Sequence, residues 1–276
     1  MYVFDAHCDY LYHRVKERPT GLTAEAVAAG KIKKSIFAVF EGHLAETALV
    51  KKQLEVFHHE NLPVEQPYLA FEGLSWLNAL KDAQIVIDSR PVYVGPMWNQ
   101  ANALGGSCRE DGELTLFGEC VLREIGDNGV LIDLAHAGER MFASCAEKLK
   151  NVIFTHGNVN HVHENIRNLK DWQIKKLIEL DSFMGLTLYE EFVGGKSIEK
   201  LFEHIEAVLM AGGENILGFG SDIDGCDKLV GEKNDAGIFA DIIEEMLRRN
   251  YAASLMEKLL HGNLEKCVMR CKKSFS

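Results

Sequence analysis

Leu131-Ile132-Asp133-Leu134-Ala135-His136 and, beyond a segment of helical spacing from Glu139 to Leu149, Val152-Ile153-Phe154-Thr155-His156 decide the fold. Each is a short apolar run suited to a strand buried on both faces, and each ends on a histidine. Similar runs lie at Tyr2 to Phe4, Ser35 to Phe40, Tyr68 to Phe71, Val92 to Met97, Phe183 to Leu188 and Ile216 to Phe219; Val130 to Leu134 and Val152 to Phe154 complete the set. Helical spacing falls between them, at Thr23 to Ala29, Leu44 to His58, Leu74 to Lys81, Leu116 to Asp127, Asp171 to Leu180, Ser197 to Ala211 and Ala236 to Arg249. This alternation predicts βα units and a parallel sheet, and about eight units favour an α/β (β/α)8 TIM-type barrel over an open doubly wound sheet. Ala252 to Leu260 and Leu264 to Cys271 read as two closing helices separated by Gly262-Asn263, packed under or beside the barrel.

The 276 residues, 47% of them hydrophobic, suffice for a full core, and a single barrel domain over 1–276 is expected. A formal charge of -11 leaves no basic field for a phosphate backbone, which argues against nucleic acid or an anionic membrane as partner. The seven cysteines are odd in number and form no CxxC pair, so a cytoplasmic location fits better than a disulfide framework or a Cys-type zinc site. No leader-like segment and no membrane-spanning run is read from the sequence.

A parallel barrel gathers the carboxyl ends of its strands on one face. The metal-binding side chains His7, Asp9, Glu72, His136, His156 and Asp222 each follow such a run, so residues remote in sequence are expected to converge. His7 and Asp9 form a His-X-Asp pair whose alternate positions point the same way, with Cys8 turned from them. Glu72 has two oxygens and could bridge two cations. His136 and His156 would each present a neutral imidazole. Asp222 could bind metal or move a proton; Asp224 competes with it but precedes Gly225 and reads as a turn residue. His161-Val162-His163 has ligand-like spacing but lies in a polar stretch, and the remaining histidines read as surface or capping residues.

The ordered set Asp5-Ala6-His7-Cys8-Asp9, Phe71-Glu72-Gly73, Leu116-Phe117-Gly118, Leu131 to His136, Val152 to His156, Arg167-Asn168 and Gly220-Ser221-Asp222-Ile223-Asp224-Gly225 resembles the renal (membrane) dipeptidase family of zinc peptidases. The resemblance runs to Gly262-Asn263. It implies a barrel with two divalent metal ions, as Zn2+, that activate a water to attack the peptide bond of a small dipeptide. His7, Asp9, Glu72 and Asp222 would surround one ion, and Glu72, His136 and His156 the other. Glu72 and Asp222 would be catalytic, Asp222 steering the water and passing its proton to the leaving amine, and Arg167 would clamp the substrate's terminal carboxylate. The sequence departs from the family after the fourth strand, where Pro96-Met97-Trp98-Asn99-Gln100 sets Trp98 or a neighbour in place of a substrate-contacting histidine. Hydrolysis of another small amide or lactam, or a catalytically silent metal-retaining barrel, are the alternatives. A homodimer is left open, and the family's membrane attachment does not carry over.

Overall fold

The computed structural model describes residues 1–42 and 46–272. Its eight strands are β1 (Val3–Cys8), β2 (Ile32–Phe40), β3 (Gln66–Glu72), β4 (Tyr93–Gly95), β5 (Leu131–Asp133), β6 (Val152–Ile153), β7 (Met184–Leu186) and β8 (Leu217–Phe219). The first six form one parallel sheet in sequential order, and β7 pairs in parallel with β8. Two parallel bridges join these sheets, Phe154 with Met184 and Cys8 with Ile223, so the strands curl into a closed α/β barrel of the TIM type.

Two apolar clusters divide the core. Phe4, Ala6, Ile36, Ala70, Tyr93, Leu131, Ile153 and Phe183, contributed by β1 to β6 and the approach to β7, meet Leu264, Cys267 and Val268 of the last helix, Asn263–Lys272. The strand residues fill the barrel interior and the helix closes it at the end opposite the site. The larger cluster lies between strands and surrounding helices and contains Val121, Leu122 and Ile125 from Leu116–Asp127 and Leu201, Phe202 and Ile205 from Ile198–Met210. Leu264→Ala should therefore lower stability by about 2 to 5 kcal/mol, because the neighbouring strand residues cannot collapse onto the vacated volume. A lower denaturant midpoint at unchanged slope is the expected reading.

Helices begin where side-chain caps are available: Thr23 accepts from Ala26 N, Thr115 from Gly118 N and Ser197 from Lys200 N. The sequence expectation fails at Leu74 to Lys81, which is turn and irregular structure, with a 3-10 turn at Leu80–Asp82 and a short helix at Ala83–Asp88. Leu74 and Leu77 are buried, so the apolar spacing is met by a turn. The buried Glu41 carboxylate accepts from Ser75 N and Ser75 Oγ, each at 2.7 Å, which takes up the local donors. Gly73, at φ +87°, lies against that carboxyl where any Cβ would collide.

The closing segment also differs from expectation. Ala253–Glu257, a π turn at Lys258–Gly262 and Asn263–Lys272 form one continuous helical run. Gly262-Asn263 does not break this run into separate helices, because Asn263 Nδ2 donates to Glu214 O and Leu217 O and fixes the run beneath β8. The expected helix Leu44 to His58 is seen as Thr47–His59, and Leu44 lies outside the described residues. Short helices at Tyr10–Val15 and Glu190–Val193 had no reading from sequence. No described helix is long and apolar enough to cross a membrane.

Candidate metal centre

β1 runs further than its apolar stretch, through Asp5 and His7 to Cys8, with an irregular register between Asp5 and Cys8. Phe4 and Ala6 belong to the barrel interior, yet beyond the irregularity it is His7 and Asp9 that face the barrel mouth together. Cys8 turns outward, its Sγ at 3.4 Å from Ser35 Oγ, and burial raises its thiol well above the usual range.

The side chains of His7, Asp9, Glu72, His136, His156 and Asp222 converge at the carboxyl ends of the strands, and all six are buried. Glu72 Oε1 lies 2.9 Å from His136 Nε2, 3.6 Å from His156 Nε2 and 3.7 Å from His7 Nε2. His7 Nε2 is 3.3 Å from Asp9 Oδ2 and 3.8 Å from Asp222 Oδ1. The groups Glu72–His136–His156, His7–Asp9–Glu72 and His7–His156–Asp222 each place donor atoms within 4.8 Å of one another.

Hydrogen bonds outside this cluster orient the rings. Tyr93 OH donates to Ala6 O and so accepts from His7 Nδ1 at 2.7 Å. Thr155 Oγ1 donates to Asp133 Oδ2 and accepts from His156 Nδ1 at 2.8 Å. His136 Nδ1 faces Asn99 Oδ1 at 3.1 Å. The network thus assigns a proton to Nδ1 of all three rings and aims every Nε2 inward.

That arrangement fits cations. Nε2 of His136 and His156 stand 3.1 Å apart, two lone pairs facing one another beside Glu72. Asp9 Oδ1 is buried with no hydrogen-bond partner among the described residues. Burial holds His136 and His156 neutral, with Arg167 adding to the effect on the first and His7 on the second. At His7 burial is outweighed by Glu72, Asp9 and Asp222, which push the imidazole up to about 10. A proton there offsets three buried carboxylates, and a metal ion can take its place. Burial, then Asp9, raises Glu72, and burial pushes Asp222 up to about 7.

Asp222 stands at φ +63°, held by its N–H on His7 O. Gly225 permits the close approach: a Cβ there would lie 2.2 Å from Asp222 Oδ1 and 2.3 Å from Asp9 Oδ2. Asp224 accepts from Gly21 N and Thr20 Oγ1 and so fastens a loop instead of joining the donor cluster.

The cluster floors a cavity of about 570 Å³. Arg167 lines it, almost fully buried, with Nε donating to Ala135 O, its guanidinium 5.2 Å from the Phe192 ring and Nη2 without a partner among the described residues. Trp98 forms another wall, its ring 5.1 Å from Phe40 and 6.2 Å from His136. His161 lies outside, bound to Asp171, and His163 packs against Gly194.

Sequence reading missed the outer partners. Asp5 accepts from Ser221 N and Oγ just before Asp222, as Asp133 does from Thr155 N and Oγ1 just before His156. An acid interrupting each apolar run was a usable signal. Tyr93 and Asn99 carried none, since their partners are distant in sequence.

A parallel barrel whose strand ends unite three histidines and three carboxylates defines a barrel protein with a donor set suited to divalent cations. Residues 70–274 match the family model for membrane dipeptidase (peptidase family M19), and the chain belongs to that family. His7 and Asp9 lie before the matched residues, and β1 meets them at the barrel seam, where Cys8 bridges Ile223 and Asp222 N donates to His7 O. Dipeptidase 3 of Rattus norvegicus is 28% identical over 158 residues, 55% of this chain and 32% of that protein. Dipeptidase 3 of Mus musculus is 29% identical over an equal length, 31% of its own. The chain therefore spans about a third of the length of these curated relatives. In fold it is similar to the metallo peptidase dipeptidase AC, with TM-score 0.88, 20% identity and 98% of both chains covered. A metallo peptidase from Rhodobacter sphaeroides, liganded with a phosphinate mimic of the dipeptide L-Ala-D-Ala, gives TM-score 0.87 at 20% identity, covering 98% of this chain and 99% of that one.

Proposed function

We propose that this protein is a metal-dependent dipeptidase that cleaves small dipeptides bearing a free C-terminal carboxylate. The observation that carries this reading is the union, in one cavity of dipeptide size, of the six-donor cluster with the buried and unpartnered Nη2 of Arg167. Family membership and the dipeptide mimic bound by the Rhodobacter sphaeroides relative support it.

His7, Asp9, Glu72 and Asp222 would hold one divalent ion and Glu72, His136 and His156 a second; Zn2+ suits these donors, as do manganese and cobalt. When bound, the cations would supply an acidified water as nucleophile and polarise the scissile carbonyl. Glu72 would balance charge between the two donor groups. Asp222 would accept a proton on its carboxylate and return it to the leaving amine. Arg167 would orient the substrate by pairing Nη2 with the terminal carboxylate, while Nε stays on Ala135 O. Trp98 gives an apolar wall where the family carries a histidine, which favours a second reading, hydrolysis of another small amide or lactam by the same cluster.

Purified protein reconstituted with Zn2+ should hold up to about two divalent ions per chain by elemental analysis, as expected when a shared carboxylate joins two donor groups. Less than about half an equivalent, or metal content unchanged from wild type in His136→Ala and in His156→Ala, would overturn the assignment. Turnover of a panel of dipeptides of both chiralities tests the activity itself.

A further inference from the structure

We infer that the cavity selects dipeptides whose C-terminal residue carries a second carboxylate, and that Arg109 recognises it. This specificity rests on the dipeptidase reading above.

The chain is acidic overall, yet three arginines, Arg18, Arg109 and Arg167, line the cavity. Among the described residues no carboxylate lies within ion-pair distance of any of them. Elsewhere Arg14, Arg123, Arg140, Arg248, Arg249 and Arg270 all pair with acids, and outside the cavity Arg90 alone has no such pair among the described residues. Carboxylates do line the same cavity, among them Glu72, Glu191 and Asp222, but none is in contact with these guanidiniums, so their hydrogen-bonding groups are open to an anionic ligand.

Arg167 is assigned to the terminal carboxylate, and two observations single out Arg109 for a second. First, its loop is held on the end of β5: Cys108 N donates to His136 O at 2.8 Å, Ser107 bridges Ala137 and Ser107 Oγ donates to Asn99 O. The side chain therefore projects from a fixed backbone beside His136. Second, Cys108 N is bound to His136 O and Arg167 Nε to Ala135 O, neighbouring carbonyls beyond β5, so Arg109 and Arg167 are both tied to that strand end and both line the cavity. Arg18 instead lies over the Tyr12 ring at 5.3 Å, and Tyr12 packs edge-on against Phe40. A C-terminal aspartate or glutamate offers two carboxylates a few bonds apart for two guanidiniums that line one cavity; asparagine or glutamine has the same shape with one charge fewer.

The test measures kcat/KM of Zn2+-reconstituted protein for the pairs Ala-Asp with Ala-Asn and Ala-Glu with Ala-Gln, with each chirality at the C-terminal residue. A preference of at least about tenfold for the acidic member is expected, as for a charge-assisted pair in a partly desolvated cavity. In Arg109→Gln the ratio should fall towards one, in Arg109→Lys it should be partly restored, and in Arg18→Gln it should persist. No acidic preference in the wild type, or one that survives Arg109→Gln, overturns the inference. Absence of turnover for every pair overturns the dipeptidase reading instead, and calorimetric affinities for the same pairs then decide the specificity, equal binding of acid and amide being the overturning result.

Discussion

Glu72→Gln should lower both metal content and activity far more than His161→Ala. Glu72 Oε1 is within reach of all three inward imidazole nitrogens, and the residue is buried. An amide of the same shape removes the negative charge that two cations would share. Loss of an outer partner of a metal site costs about 10- to 100-fold, so loss of the shared carboxylate should cost at least about 1,000-fold in kcat/KM. His161, bound at the surface to Asp171, has no such place, and His161→Ala should retain metal and activity. Elemental analysis and initial rates on the two variants make the comparison. If His161→Ala lost metal and Glu72→Gln kept it, the site would have to be rebuilt around His161 and His163.

Arg167→Met should leave metal content intact and sharply lower kcat/KM for free dipeptides. Methionine keeps an apolar stem beside Phe192 and removes the charge, so the variant isolates the guanidinium. Loss of one partner of a desolvated charge pair costs roughly 2 to 5 kcal/mol, which is roughly 30- to 5,000-fold in kcat/KM. Matched substrates with an amidated C-terminus have no charge to lose and should change little. Equal losses on both would mean that the Arg167 Nε bond to Ala135 O, next to His136, supports the donor cluster and that the arginine does not read the carboxylate.

The barrel and the inner donors were legible in the sequence because both follow local rules. An apolar run of strand length followed by a helical spacing defines a βα unit, and a polar side chain at the end of that run falls on the mouth of the barrel whatever its distance along the chain. His7, Asp9, Glu72, His136, His156 and Asp222 could thus be selected one strand at a time. Local spacing misled at Leu74 to Lys81, where the competing partner, Glu41, comes from the end of another strand. It misled again at Gly262-Asn263, where bonds to Glu214 O and Leu217 O hold in a helical run a pair that reads as a break.

What the sequence alone determined, then, was the order of elements and the chemical kinds of donor at their ends, since these depend on neighbours within a few residues. Only the tertiary structure decided which Nε2 atoms face Glu72, because the Nδ1 partners Tyr93 and Asn99 lie on other elements and have no signature in the segments they serve. It alone decided that Asp224 fastens the Thr20-Gly21 loop while Asp222 enters the cluster, a choice made by contacts across the seam between β8 and β1. The arginines of the cavity belong to the same class of fact, for it is the packed surroundings, and no stretch of sequence, that leave Arg109 and Arg167 without an ion-paired carboxylate among the described residues.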